Sequence, residues 1–276
     1  PMTLAQRNAR FLQYGVLGFA DSQAENTLPQ FSRWDETGPI GDIKVEKGAL
    51  VSTKDKDGLI LMMAPHVINA GHLSAPAGQV LLSAGVPRLT RATGAADSLD
   101  PNVRGLFVSY EPYFNTSIGN YVWNQADGLI EANQGNITLA TPNNTSRDTG
   151  QPAYQLVPGG AVINDGVLSS TTSVARNGSI TISGGDIRLS SSGLLSIAAD
   201  ASGETIPQDP TSLTGFKPSQ IKIGNSASNI EMQSDAFIYA PSGNVIFGAP
   251  GGASANTILD NQTPWTPSIF IDSGAV

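Results

Sequence analysis

The sequence predicts an all-β chain folded as a parallel β-helix, a solenoid with an irregular N-terminal arm and loop excursions. Two observations carry that prediction. A degenerate repeat of short, bent strand pairs recurs along the chain, and the composition is poor material for helices.

The repeat comes first, because self-similarity decides the architecture. Gly71-His72-Leu73-Ser74-Ala75-Pro76-Ala77-Gly78-Gln79-Val80-Leu81-Leu82 is one copy. Gly128 to Leu139 and Ala236 to Phe247 are two more. The shared template is small, any, aliphatic, any, Ala, two of any type, Gly, any, Val or Ile, any, large apolar. A fourth copy runs from Gly166 through Leu168 and Ser170 to Gly178, Ile180 and Ile182, with extra residues between Thr171 and Asn177. Leu73 and Ala75 alternate with polar partners, as a half-buried strand does. Gly78 turns the chain, and Val80 and Leu82 begin a second strand. Such a unit is too small to stand alone and must stack on its neighbours.

The first copies start 57 and then 38 residues apart, both multiples of 19, which suggests a coil of that length. The last interval, of 70 residues, breaks the period, and a Pro-rich loop from Gly203 to Pro218 is expected to absorb the surplus. Weaker strand pairs are expected at Ile187–Leu189 with Leu195–Ile197, and at Ile221–Ile223 with Ile230–Met232. About ten coils would then make a rod on the order of 50 Å long, at one strand spacing per coil. Its two ends would carry open strand edges that need capping or continuation.

Residues 1–42 depart from the template and read as an N-terminal arm or cap, with one short amphipathic helix at Leu4–Leu12. The solenoid is expected over 43–276, with Ile43 to Val51 as its first coil. Within it, 86–127 reads as an aromatic-rich excursion. Tyr110, Tyr113, Tyr121 and Trp123 there are candidate contacts for a glycan or protein ligand, because exposed aromatics favour recognition. The alternative is that these rings pin a long loop to the flank of the rod. The chain stops at Asp272-Ser273-Gly274-Ala275-Val276, which reads as mid-strand, and is expected to be a fragment of a longer protein.

Composition narrows the function classes. Charged residues are 14% of the chain, against roughly 25% in average soluble domains. Gly, Ser, Thr and Asn supply the polar surface instead, and they compete with or weaken a helical backbone. The net charge of −8, with no basic stripe, argues against nucleic acid and against anionic membranes. Lys54-Asp55-Lys56-Asp57 alternates in sign and reads as a solvated turn. With no cysteine there is no disulfide, thiolate-zinc site or thiol nucleophile. No apolar run reaches the length of a transmembrane helix, and Pro1–Arg7 has no signal-peptide pattern.

The segment Met63-Ala64-Pro65-His66-Val67-Ile68-Asn69-Ala70-Gly71 followed by His72 to Gly85 resembles a phrase of the filamentous haemagglutinin family of two-partner-secreted exoproteins. Ser170 to Ile180 is similar to phrases of its large members. The resemblance covers roughly residues 43–276. It implies the right-handed form of the β-helix and export through an outer-membrane secretion pore. It also implies a place in the medium or on the surface of a Gram-negative bacterium, with a role in adhesion, aggregation or biofilm. The Asn-Pro-Asn motifs of the family's secretion domain are missing, so the secretion signal is not assigned to these residues.

No catalytic constellation stands out, and neither a cofactor nor a metal is expected. His66 and His72, the only histidines, have no carboxylate close in sequence and read as exposed non-ligands. A glycosidase needs two acids across a cleft. The pairs Asp97 with Asp100 and Glu204 with Asp209 lie in Gly/Pro/Ser-rich loops, not on strands that stacking would align. There is no Gly-x-Ser-x-Gly elbow. Asn115, Asn136, Asn143, Asn144, Asn177 and Asn261 match the glycosylation triplet but read as turn and loop asparagines. Asn69, Asn133 and Asn225 are expected to stack into side-chain ladders. The expected function is a structural or adhesive rod without catalysis. It would contact a host or bacterial surface glycan or protein, and would associate with itself end to end or laterally. The alternative is a carbohydrate-active enzyme or glycan-binding module on the same fold.

Overall fold

The computed structural model describes residues 41–85, 119–143, 159–173, 177–200, 219–225, 228–241, 243–248 and 269–276, with the backbone alone at 87–91, 106–110, 145–147 and 155–157. The expected arm helix and the Pro-rich loop lie outside these residues, as do Tyr113, Asp97, Asp100, Glu204 and Asp209. Every regular element among the described residues is a strand.

The chain passes through three sheets in turn. The first round is β1 (Ile43–Val45), β2 (Leu50–Ser52) and β3 (Leu59–Ala64). The second is β4 (His66–Asn69), β5 (His72–Ser74) and β6 (Gln79–Ala84), after which β7 (Pro87–Arg91) and β8 (Leu106–Tyr110) pair antiparallel as an excursion. The third is β9 (Tyr121–Asn124), β10 (Leu129–Asn133) and β11 (Asn136–Ala140), followed by a second antiparallel pair, β12 (Thr145–Arg147) and β13 (Gln155–Val157). Next come β14 (Ala161–Asn164), β15 (Val167–Thr172) and β16 (Ser179–Ser183), then β17 (Asp186–Leu189), β18 (Leu194–Ala199) and β19 (Gln220–Ile223). The sixth round is β20 (Asn229–Met232), β21 (Phe237–Tyr239) and β22 (Asn244–Phe247), and β23 (Ile269–Ile271) opens a seventh.

First strands of all rounds form one seven-stranded sheet, second strands a six-stranded sheet and third strands another, all paired in parallel. The arrangement is consistent with the expected parallel β-helix. Registers stack like residues into columns: Val51, Leu73, Ile130, Leu168, Leu195 and Ile238 in the second sheet, and Ile60, Val80, Ile137, Ile180, Ile221 and Val245 in the third. Most of these side chains are fully buried in one continuous core. Each contributes roughly 1.5–3 kcal/mol on burial. The template positions therefore superpose as the repeat predicts. Ser170 of the fourth copy stands opposite Ala132 and donates its hydroxyl to the Ala132 carbonyl at 2.7 Å.

Two expectations about spacing are corrected. The copies 57 residues apart occupy adjacent rounds, since Leu73 pairs with Ile130, and those 38 apart do too, since Ile130 pairs with Leu168. Nineteen residues is not the length of a round. Pairing partners are 20 residues apart at Ile60 and Val80, and 27 apart at Leu168 and Leu195. The described residues make six complete rounds and the first strand of a seventh, not about ten. Six strand spacings give roughly 29 Å. Excursions inflate the sequence interval without adding a round, because closing a longer loop costs little extra entropy.

The corner between the second and third sheets explains its glycines. Asp57, Ala77 and Gln134 take positive φ of 63°, 54° and 56°, each just before Gly58, Gly78 and Gly135. A Cβ on Gly78 would press on the Gly58 carbonyl, and one on Gly135 on the Gly78 carbonyl, closer than atoms pack. In return the backbone ladder continues round the bend, with Ala77 N–H donating to Asn133 at 2.7 Å and Asn136 N–H to Gly78 at 2.9 Å.

Candidate functional site

Alternation sends every second side chain of a strand to the outer face. On the seven-stranded sheet, this builds two outward columns. One is His66, Tyr121, Ala161, Asp186 and Asn229. The other is Lys44, Ile68, Trp123, Ile163, Arg188, Glu231 and Phe270. Trp123 and Tyr121 thus stand on β9 within the sheet, which corrects their expected place on an excursion at 86–127. Tyr110 closes β8, where only the backbone is described.

Both rings are held. The Trp123 indole N–H donates to Asp165 Oδ2 at 2.7 Å, and Asp165 also accepts the Ser190 hydroxyl. The Tyr121 ring lies 4.4 Å from that of His66, tilted by 32°. His66 is fixed in turn by Asp42 Oδ1 at 2.8 Å and the Gly119 carbonyl at 3.1 Å. His72 meets Glu131 at 3.2 Å. Stacking gives both histidines carboxylate partners all the same: Asp42 and Glu131 reach them from neighbouring rounds, which sequence distance hides. Among the described residues no cluster of three or more His, Cys, Asp or Glu could hold a metal.

Below the aromatic pair lies a shallow groove of about 500 Å³, lined by Ala161, Ile163, Asp186, Arg188, Glu231 and Phe270 among others. Ala161 lies on its floor strand next to Tyr121, and the exposed Phe270 lines it on the last strand of the sheet. Asn229 donates to Asp186 at 2.9 Å and Gln233 to Glu231 at 3.0 Å. Arg188 lines the groove, and among the described residues its guanidinium has no partner. Stacking has brought two acids onto adjacent strands. Sequence reasoning missed Asp186 and Glu231 because it looked for acid pairs close together along the chain.

The ladder expectation holds for Asn69 and not for Asn133. Asn69 donates to Asn124 Oδ1 and Asn124 to Asn164 Oδ1, both at 2.9 Å, and all three are fully buried. The phrase Val-x-Asn at Val67, Val122 and Val162 was the available signal. Asn133 instead donates to Glu131 at 2.7 Å, and the Asn225 backbone N–H donates to Ser228 Oγ at 3.0 Å. Asn136, read as a loop asparagine, opens β11. This chain matches no family model, no curated protein and no solved structure.

Proposed function

We propose that the chain is a right-handed parallel β-helix from a secreted or surface-exposed Gram-negative exoprotein resembling filamentous haemagglutinins, and that it serves as a non-catalytic adhesive rod. The observation that carries this reading is the uninterrupted stacking of one strand template through three parallel sheets. Such a scaffold projects a long outer surface while its core does nothing but hold the rounds together. The segment from Met63 to Gly85, on which the resemblance rests, forms most of the second round. Export through an outer-membrane pore suits a cysteine-free chain whose rounds fold by adding to a finished edge.

Beads coated with the purified chain should attach to epithelial or bacterial cells several-fold better than beads coated with an unrelated protein of equal charge. Equal attachment would remove the adhesive role. Asp186 and Glu231, on adjacent strands, favour the enzyme alternative enough to test it. Incubation with a polysaccharide panel should release no reducing ends and no unsaturated products, and sustained turnover would replace the rod with an enzyme.

A further inference from the structure

We infer that the outer face of the seven-stranded sheet is a binding site for an uncharged pyranose chain, which lies across the strands from Tyr121 and Trp123 down to Phe270. The inference rests on the adhesive reading and names the surface and ligand class through which it would act.

Three properties point to a sugar. Phe270 lines the lower end of the groove, and Tyr121 and Trp123 stand on the strand next above it; aromatic rings suit the C–H side of a pyranose. Between them Arg188, Asp186, Glu231 and Asn229 supply donors and acceptors from adjacent strands. This mixture of a few polar groups on an apolar floor fixes orientation in ligand sites. The polar groups repeat at the strand spacing of about 4.8 Å, comparable with the repeat of an extended pyranose chain. The upper rings are pre-organised, because Asp165 holds the indole and His66 lies against the phenol ring. Rings fixed before binding lose little freedom on binding.

Charge selects the uncharged class. Asp186 and Glu231 offset Arg188 within the groove, and the chain carries a net charge of −8. A polyanionic glycan would be repelled at long range and would find one arginine beside two carboxylates. Hydroxyls can donate to those carboxylates and accept from the free guanidinium at once, which is the pairing that bare carboxylates or sulfates cannot make.

The experiment titrates the whole chain by calorimetry with cello-, manno- and galacto-oligosaccharides and with a soluble β-glucan, against heparin and alginate. At least one neutral chain should bind. Ile163→Arg, which fills the groove, Arg188→Ala and Trp123→Ala should each weaken it by at least about tenfold, with circular dichroism unchanged. If no neutral chain binds, if an acidic chain binds best, or if folded Ile163→Arg and Arg188→Ala both bind as the parent does, the inference is overturned. Cell attachment by the same variants separates the two readings. Attachment that persists in all three leaves the adhesive rod standing and removes this face from it.

Discussion

The corner between the first and second sheets is built in two ways in one molecule. In the second to fourth rounds, the last inward position of the first strand is Asn69, Asn124 or Asn164, and the second strand is preceded by Gly71, Gly128 or Gly166. In the sixth round the same places hold Met232 and Ala236. The amides bond to one another down the column. The run ends on backbone at both extremities, where the Gly71 N–H donates to Asn69 Oδ1 at 3.2 Å and Asn164 donates to the Gly166 carbonyl at 3.1 Å. At Gly128 the Asn124 amide and the Asn69 and Gln125 carbonyls leave no room for a Cβ, and at Gly71 the Ala49 and Glu46 carbonyls do the same. An apolar side chain makes no hydrogen bond down the column, and Ala236 fits fully buried. The sixth-round corner dispenses with both, while the fifth keeps Gly193 beside the apolar Leu189.

The largest effect that would break this contrast is expected at Gly128→Ala. Its Cβ would sit 2.6 Å from the Asn69 carbonyl and 2.9 Å from that of Gln125, besides meeting the Asn124 amide. Backbone oxygens cannot swing aside as a side chain can. A loss of about 3–5 kcal/mol in urea unfolding is expected. The reverse change in the apolar corner, Ala236→Gly, should cost only about 1 kcal/mol, from backbone entropy and one lost methyl. Equal losses at the two corners would show that crowding by the neighbouring carbonyls does not set the glycine requirement at Gly128.

Asn124→Leu comes next. It takes the donor from Asn164 Oδ1 and the acceptor from Asn69 Nδ2, although the latter keeps the Gly71 carbonyl at 3.2 Å. One buried acceptor is left bare, and the expected loss is about 2–4 kcal/mol. Replacing all three asparagines by leucine should cost less than the sum of the single changes, since no amide remains to be stranded. Strict additivity in the unfolding free energies would sink the ladder account.

Leu189→Asn extends the polar corner downward by one round. Leu189 stands directly below Asn164, and Gly193 already occupies its corner. The new amide can take up Asn164 Nδ2, so part of the lost apolar transfer energy returns as a hydrogen bond. A loss of about 1–2 kcal/mol is expected. Ile187→Asn on the same strand, which has only the aliphatic Val162 and Ile230 above and below it, should cost clearly more. The two unfolding curves should separate, and coincidence would mean that the column confers no polar tolerance.

Why the sequence reveals some of this and hides the rest follows from what stacking requires. Leu73, Ile130 and Leu168 are legible because each must be aliphatic whatever its neighbours are. The number of rounds is not legible, because the intervals of 57 and 38 residues hold excursions whose length nothing in the core constrains. The ladder is half legible. Asn69 looks like a turn residue on its own, and only alignment with Asn124 and Asn164 gives it partners. The candidate site is legible as residue types, Tyr121 and Trp123, and not as a place. Arg188, Glu231 and Phe270 lie 65 to 147 residues further on than Trp123 and join it only through register.

The smallest expected effect tests whether the second sheet's corner has the same all-or-none character. Ser170 occupies the place of Ala132, fully buried, and its hydroxyl donates to the Ala132 carbonyl at 2.7 Å. That carbonyl already accepts the Gly135 N–H at 2.8 Å. Removing the hydroxyl in Ser170→Ala therefore strands no acceptor, and the methyl that remains is the group the template puts there. One modest hydrogen bond is lost, while the cost of burying a hydroxyl is recovered. Stability should change by less than about 1 kcal/mol in either direction. A loss several times larger would mean that the Ser170 hydroxyl holds this corner as the asparagines hold theirs, and that both bends of the round, not one, are closed by side-chain hydrogen bonds.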